Sequence, residues 1–335
     1  MERMPRQARL DAPGVLHHVM QRGVARGRVF GDRQDYEEFL RRLGAALKDS
    51  KTSCYAWCLM SNHIHFLLRT GSRPIGRVLQ SVLGGYAGYF NRRYRRIGHV
   101  FQGRFKSILC EEEPYFLDLV RYIHLNPLRA GVVRDMNGLD RYPWSGHWVL
   151  MGRRKTEWQD VDEVLGRFGK REGQARAAYR SFVAEGIAMG RRRDLEGGGL
   201  IRSAGGLVEV LRDRGEERRK GDERVLGSDS FIEAVMGEVE KRDKERARLR
   251  KSGLSPGKLL ERAARAAGTT VSAVKGRGRN RRQSEARALF SKWMVGDLGY
   301  SGAEVAAILG VTRMAVRKAV ARGITLALSR KQGLG

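Results

Sequence analysis

Acidic residues are scarce in this chain. Thirty-seven Asp and Glu stand against 65 Lys and Arg, a formal charge of +28. That excess suits no metabolic enzyme for small anions; it suits a polyanion, whose condensed counterions are released as protein cations replace them. Cysteine is scarcer still. Cys54, Cys58 and Cys110 leave an odd thiol, which argues against a disulfide framework, and they lack paired metal-ligand spacing. No apolar run approaches membrane-spanning length, and the N-terminus (Met1-Glu2-Arg3-Met4-Pro5) has no apolar signal core. Histidine is absent after His147, so imidazole chemistry has to lie in the first part of the chain. A reducing cytoplasm, no membrane and a nucleic-acid partner are the expectations these absences set.

What is present divides by charge. The 335 residues allow two domains, and 41% hydrophobic content is enough for real cores. Residues 1–150 hold 24 basic and 13 acidic side chains, residues 151–254 hold 25 and 20, and residues 255–335 hold 16 and 4. The cationic excess thus sits at both ends of a mixed-sign middle. Runs such as RRRDLEGGG and RDRGEERRKGDER give that middle the look of a linker from Gly190 onward. The expected organisation is one domain over 1–187 with a helical extension, a charged linker over 188–254, and a second domain over 255–335.

In the first domain the periodicities alternate. Gly14–Gly23 reads as a strand. Asp32–Leu47, opened by a cap-like Asp with Tyr36, Phe39, Leu40, Leu43 and Leu47 at helical spacing, reads as an amphipathic helix. Ser53–Met60 and His63–Arg69 read as strands about a Ser61-Asn62 turn. A helix over Pro74–Tyr94, a strand over Val100–Leu109 and a helix over Pro114–Asn126, stopped by Pro127, follow. The order β-α-β-β-α-β-α predicts an α+β fold, a ferredoxin-like or RRM-like antiparallel sheet with helices. Residues 158–168 and Ala175–Gly186 predict two more helices.

His63-Ile64-His65 projects two imidazoles to one face of a strand, suited to gripping a metal; the plainer alternative is two surface histidines beside a turn. His17 and His18 face opposite ways, so at most one joins any site. On the last helix Tyr122 and Asn126 share a face at i and i+4, as a phenol and an amide, or simply as a packing tyrosine and a helix-ending Asn. Tyr115 lies about two turns earlier without an amide one turn on. Two imidazoles and an amide would leave a cation open to phosphate oxygens, with a phenol as nucleophile. No phosphate-loop spacing is present, so no nucleotide is expected. Glu111, Glu112 and Glu113 favour a helix N-terminus or, alternatively, touch the metal.

Arg92, Arg93, Tyr94, Arg95 and Arg96 end the second helix, and Arg104 and Lys106 follow, with no acid from Tyr86 to Cys110. Arginines with interleaved aromatics fit a single-strand groove, or else a solvated helix end. Near the other terminus, Val305, Ala306 and Leu309 give a short helix, Gly310 a turn, and Thr312 a cap to a second helix. This helix-turn-helix spacing would offer Thr312, Arg313, Arg317 and Lys318 to duplex DNA. A small helical protein-interaction domain is the alternative.

The segments CYAWCLMSNHIHFLL, GHVFQGRFKS, YIHLNPLRAGVV and YPWSG, in that order, resemble the single-tyrosine HUH transposases, in particular the REP-associated tyrosine transposases, over roughly residues 5–185. The resemblance implies His63 and His65 as metal ligands, Tyr122 as nucleophile, and Asn126 as third ligand where relatives tend to have Gln. It further implies Mg²⁺ or Mn²⁺, single-stranded DNA folded into hairpins, and a 5′-phosphotyrosine intermediate with a free 3′-OH. Imidazoles by themselves suit a softer ion such as Zn²⁺, whereas phosphate oxygens suit Mg²⁺ or Mn²⁺. Monomer and homodimer both fit, since relatives include dimers that exchange the tyrosine helix. Residues from about Pro256 to Gly323 resemble the DNA-binding domain of the replication initiator DnaA. Two other functions compete with strand cleavage: a transposase-derived, non-catalytic DNA-binding regulator, and an RNA-binding module on the sheet.

Overall fold

The computed structural model describes residues 10, 14–190, 192, 195, 224–251, 253–276, 278 and 280–330. Contacts divide the chain into two compact units, residues 1–237 and 238–335. Among the described residues no helix is long and apolar enough to cross a membrane.

The first unit opens with β1 (Leu16–Arg22), α1 (Arg33–Ser50), β2 (Ser53–Leu59) and β3 (His63–Arg69). It continues with α2 (Ile75–Arg93), β4 (Lys106–Cys110) and α3 (Glu112–His124). The sheet order is β2-β3-β1-β4, every neighbouring pair antiparallel, which is the expected ferredoxin-like arrangement. Asp32 starts α1 as expected, its side chain accepting from the amides of Gln34 and Asp35.

Strand alternation sorts side chains to two faces. One face of β1 and β3 (Val19, Ile64, Phe66, Leu68) packs under Phe39, Leu40, Leu43 and Leu47 of α1 and Val78, Leu79, Val82 and Tyr86 of α2. The other face (Leu16, Leu67, with Ile108 of β4) packs under Phe116, Leu119, Val120, Tyr122 and Ile123 of α3. Each such side chain contributes about 1.5–3 kcal/mol when fully buried. Five of them make lifting α3 off the sheet comparable in cost to unfolding a whole domain.

The helical extension follows as α4 (Asn126–Arg129), α5 (Met136–Asp140), α6 (Gly146–Leu150), α7 (Val161–Gly166) and α8 (Glu172–Glu185). Its Leu139, Leu150, Val164, Leu165, Tyr179 and Val183 join the α3-side core.

Three sequence expectations need correction. The strand expected over Val100–Leu109 is regular only from Lys106, because Gly103 takes a left-handed φ of 62° and leaves just an isolated Gly23–Phe101 bridge before it. The helix expected over residues 158–168 starts at Val161, where Asp160 caps it by accepting from the Glu163 amide. The stretch expected to be linker contains a fifth strand, β5 (Val225–Leu226), and a long helix, α9 (Asp229–Lys251). β5 adds in parallel to β4, matching Leu109 with Val225 and Cys110 with Leu226. A two-residue apolar pair inside a charged run carries no periodicity, so only the open edge of β4 reveals it. The runs RRRDLEGGG and RDRGEERRKGDER fall almost wholly outside the described residues.

The second unit is helical: α10 (Pro256–Ala266), α11 (Val271–Lys275), α12 (Arg281–Ser291), a π-turn (Lys292–Asp297), α13 (Gly302–Leu309) and α14 (Arg313–Arg330). Leu259, Leu260, Val274, Leu289, Phe290, Trp293, Leu298, Val305, Leu309 and Val316 form its core. Ser301 and Glu304 close a capping box at the start of α13. Gly310 ends that helix at φ 62°, and Thr312 caps the next by accepting from Ala315 N at 3.2 Å. α14 passes so close to α12 that a Cβ on Gly323 would stand 2.1 Å from the Ala288 carbonyl oxygen. Gly323→Ala is therefore expected to cost about 1–3 kcal/mol through overpacking, read as a lower urea midpoint for the second unit's transition in the full chain.

Candidate active site

The Ser61-Asn62 turn delivers the chain into β3 so that His63 and His65 project on the face covered by α3. Their rings lie edge to face with centroids 5.3 Å apart. His65 is buried and His63 half-buried. Antiparallel pairing of β1 with β3, with Met20 opposite His65 and His18 opposite Leu67, brings His18 onto the same face. The His18 and His65 rings stack with centroids 5.5 Å apart and planes 26° apart, and His18 Nε2 is 3.2 Å from His65 Nδ1. His17 goes to the opposite face, 3.0 Å from the Ser107 hydroxyl.

α3 carries Tyr122 to these imidazoles. Its ring centroid is 6.0 Å from that of His65 and 5.7 Å from that of His18, edge-on to both. Asn126 begins α4, past the end of α3, rather than sharing one continuous helix with Tyr122. Its Nδ2 donates to the carbonyls of Tyr122 and Ile123 at 3.0 and 3.2 Å, so Oδ1 is the atom with which the amide would accept or ligate. The Arg129 guanidinium lies 5.3 Å from the Tyr122 ring centroid. Tyr115, about 10 Å earlier along the same axis, is half-buried against the core.

The glutamates before α3 are resolved in favour of structure. Glu111 accepts from Ser228, and Glu112 pairs with Arg69 and Arg167. Arg69 ends β3 while His63 begins it, roughly 20 Å away at strand rise.

No group of three His, Cys, Asp or Glu able to hold a metal occurs among the described residues. His18 turns its Nε2 to His65, so the imidazoles this face would offer a cation are those of His63 and His65, with the Asn126 amide the third donor expected from the sequence. Two imidazoles and an amide oxygen, with positions left for phosphate oxygens, fit a divalent cation of borderline character.

The basic surroundings are partly rearranged by tertiary contacts. Arg92, Arg95, Arg96, Arg104 and Lys106 are exposed. Arg93 is neutralised by Asp32 and Asp35 of α1, at 2.5 and 2.6 Å, and the Tyr94 hydroxyl donates to Asp35 at 2.8 Å. The acids that this stretch lacks in sequence are thus supplied across the fold. Sequence reading missed exposed Arg22, whose backbone lies opposite His63, and Arg26 and Arg28 in the next loop. It left open which of His17 and His18 would join the face and gave Asn62 only a turn, because which face of β1 lies beside β3's histidines depends on register. In the second unit Arg313, Arg317 and Lys318 are exposed, while Thr312 serves as a helix cap.

Residues 13–126 match the family model described as "Transposase IS200 like", a span that includes both histidines of β3, Tyr122 and Asn126. A solved structure of a REP-associated tyrosine transposase bound to a REP hairpin is similar at 17% identity, covering 47% of this chain and 93% of that one, with a TM-score of 0.38. No curated protein matches.

A second set of buried polar groups fastens α3 from behind. Tyr179 of α8 sets its hydroxyl 2.7 Å from His124 Nδ1 and 2.8 Å from His147 Nδ1. His147 Nε2 meets Asp140 at 2.8 Å, and Arg180 donates to the same carboxylate. Burial pushes the Tyr179 phenol well above its ordinary range and holds His124 and His147 below theirs. Burial likewise lowers His65 far below 6.5 and His17 to about 4. These imidazoles bind protons more readily when unfolded, so they stabilise the fold above pH 6.5 and lose that contribution as pH falls. For His17 the window runs from 6.5 down to about 4 and is worth on the order of 3 kcal/mol. Urea unfolding from pH 7.5 to 4.5 should show falling stability, with a shallower slope in His17→Leu.

Proposed function

We propose that this chain, whose residues 13–126 match the IS200-like transposase family, is a metal-dependent transposase that nicks and rejoins single-stranded DNA carrying hairpins. The observation that carries the reading is Tyr122 on α3, with its ring 6.0 Å from the ring of His65. A phenol beside a cation site can attack a phosphodiester without any nucleotide.

In this reading the Tyr122 oxygen bonds to the scissile phosphorus and the bond to the 3′-oxygen breaks. The phenol's proton is lost to solvent, the departing 3′-oxygen gains one, and the 5′-phosphate stays on the tyrosine. Reversal with another 3′-OH rejoins the strand, the phosphotyrosine having conserved the bond energy. His63, His65 and Asn126 would hold Mg²⁺ or Mn²⁺, which would polarise the phosphate and offset its developing charge. Arg22, Arg92, Arg95, Arg96, Arg104 and Lys106 take the flanking phosphates. Packing of Tyr122 among the apolar side chains of the α3-side core fixes the direction of its ring. The chain works in the cytoplasm, as a monomer or homodimer.

The second unit is proposed to read duplex DNA through α14, in the manner of the DnaA-like domain it resembles, with Arg313, Arg317 and Lys318 facing the groove. Held on one chain, it raises the effective concentration of the catalytic domain near a target.

Incubation with a hairpin-bearing single strand and Mn²⁺ should give a covalent protein–DNA adduct by mass spectrometry that Tyr122→Phe abolishes. An adduct that persists in that variant overturns the nucleophile, and binding without cleavage at any ion favours the non-catalytic regulator. Mg²⁺ and Mn²⁺ should support cleavage; activity with Zn²⁺ alone would reject the assigned ion. Removing Arg313 and Arg317 together should weaken duplex binding and reduce its salt slope by roughly 2, about one per lost phosphate contact, leaving single-strand cleavage unchanged.

A further inference from the structure

Imidazole ligates a metal through whichever ring nitrogen lacks the proton, so a site built on two histidines works only if both tautomers are set. Neutral His63 and His65 could each carry the proton on either nitrogen, and nothing in the H-x-H spacing decides between them. The surroundings of β3 do.

His18 Nδ1 lies 3.0 Å from the carbonyl oxygen of Leu195. A carbonyl only accepts, so His18 carries its proton on Nδ1. Both His18 and His65 are buried, and a buried neutral pair is far cheaper than a buried imidazolium. With His18 neutral, its Nε2 holds a lone pair, and the nitrogen 3.2 Å away, His65 Nδ1, has to donate. The proton of His65 is then on Nδ1 and its lone pair on Nε2.

A parallel chain reaches His63. The Arg26 carbonyl accepts from Asn62 Nδ2 at 3.1 Å, which orients that amide. Asn62 Oδ1 therefore faces His63 Nδ1 at 2.7 Å, and His63 donates. The receiving loop is itself fixed: Val29 donates to the Ser61 carbonyl, Gly23 donates to the Asn62 carbonyl, and Arg26 sits at φ 59°. Both chains thus end on backbone carbonyls, which can only accept.

We infer that His18 and Asn62 are positioning residues which, through relays anchored on the carbonyls of Leu195 and Arg26, hold His65 and His63 as Nδ1–H tautomers with both Nε2 lone pairs presented to a divalent cation. The inference rests on the reading of His63 and His65 as ligands, and it adds the groups that make them competent. Neither positioning residue would serve as a ligand. His18 donates from Nδ1 to Leu195 and turns Nε2 to His65, and Asn62 lies in the turn before β3.

The test uses the full chain labelled with ¹⁵N-histidine. Long-range ¹H–¹⁵N spectra of the metal-free protein at pH 7.5 should show His63 and His65 protonated on Nδ1. His18→Phe keeps a ring but removes the acceptor, so His65 should become a tautomer mixture and Mn²⁺ should bind about 10–100-fold more weakly, the usual range for losing such a partner. His18→Gln restores an acceptor oxygen and should recover most of that affinity, which a merely space-filling role would not explain. Asn62→Leu and Asn62→Asp should behave as the same pair toward His63. An Nε2–H tautomer at His65 or His63 in the wild-type protein overturns the inference, as does wild-type Mn²⁺ affinity in both His18→Phe and Asn62→Leu. Should a variant fail to fold, the wild-type spectrum still decides. A wild-type protein with Nδ1–H tautomers that binds no Mn²⁺ would sink the ligand reading while leaving the relays in place.

Discussion

Everything in the first unit turns on the register between β1 and β3. With Met20 opposite His65, the even-numbered residues of β1 and the odd-numbered residues of β3 share one face. A slip of one residue would send His18 to the α1–α2 side and put Val19 in its place. The register is enforced by the apolar side chains on both faces, since Val19, Ile64 and Phe66 on one and Leu16 and Leu67 on the other would lose their cores at the same time. The polar site is therefore held in place by groups that do no chemistry.

The same economy applies to α3. Its apolar stripe seats it on the sheet, and its polar residues tie it to the extension. His124, two residues on from Tyr122 and so roughly on the opposite face of α3, ends in the Tyr179–His147–Asp140 chain, and Arg180 completes the charge balance. The phenol has one proton for two neighbouring imidazole nitrogens, so one ring accepts from it and the other donates to it. Burial argues against a charged imidazole in either position. Asp140 shows the balance clearly: burial would raise its carboxyl, yet His147 and Arg180 together hold it below the ordinary value. The extension after Asn126 thus belongs to the structure that holds α3 in place.

The second unit follows different rules. A single apolar core, a capping box at Ser301 and Glu304, and close approach at Gly323 fix its helices. Arg287 spends its guanidinium on the carbonyls of Val274, Gly276 and Gly278, closing the loop before α12 rather than offering charge outward. Not every arginine in a basic segment is a surface for phosphate. Arg93 makes the same point in the first unit.

By itself the sequence determined the element order from β1 through α3, the β3 limits to the residue, the pairing of two imidazoles on one strand face, and the presence of Tyr122 and Asn126 just ahead of Pro127. These are local properties: period two, period three and a half, and the stops imposed by Pro and Gly. It also carried the helix–glycine–helix pattern about Gly310. Only the tertiary structure decided that His18, not His17, joins the site, that Asp32 and Asp35 consume Arg93, and that Val225 and Leu226 extend the sheet. Each of those depends on which distant segment lies alongside, and register between strands is set by the packing of both faces at once. A periodicity can say which residues turn together, but not what they turn toward.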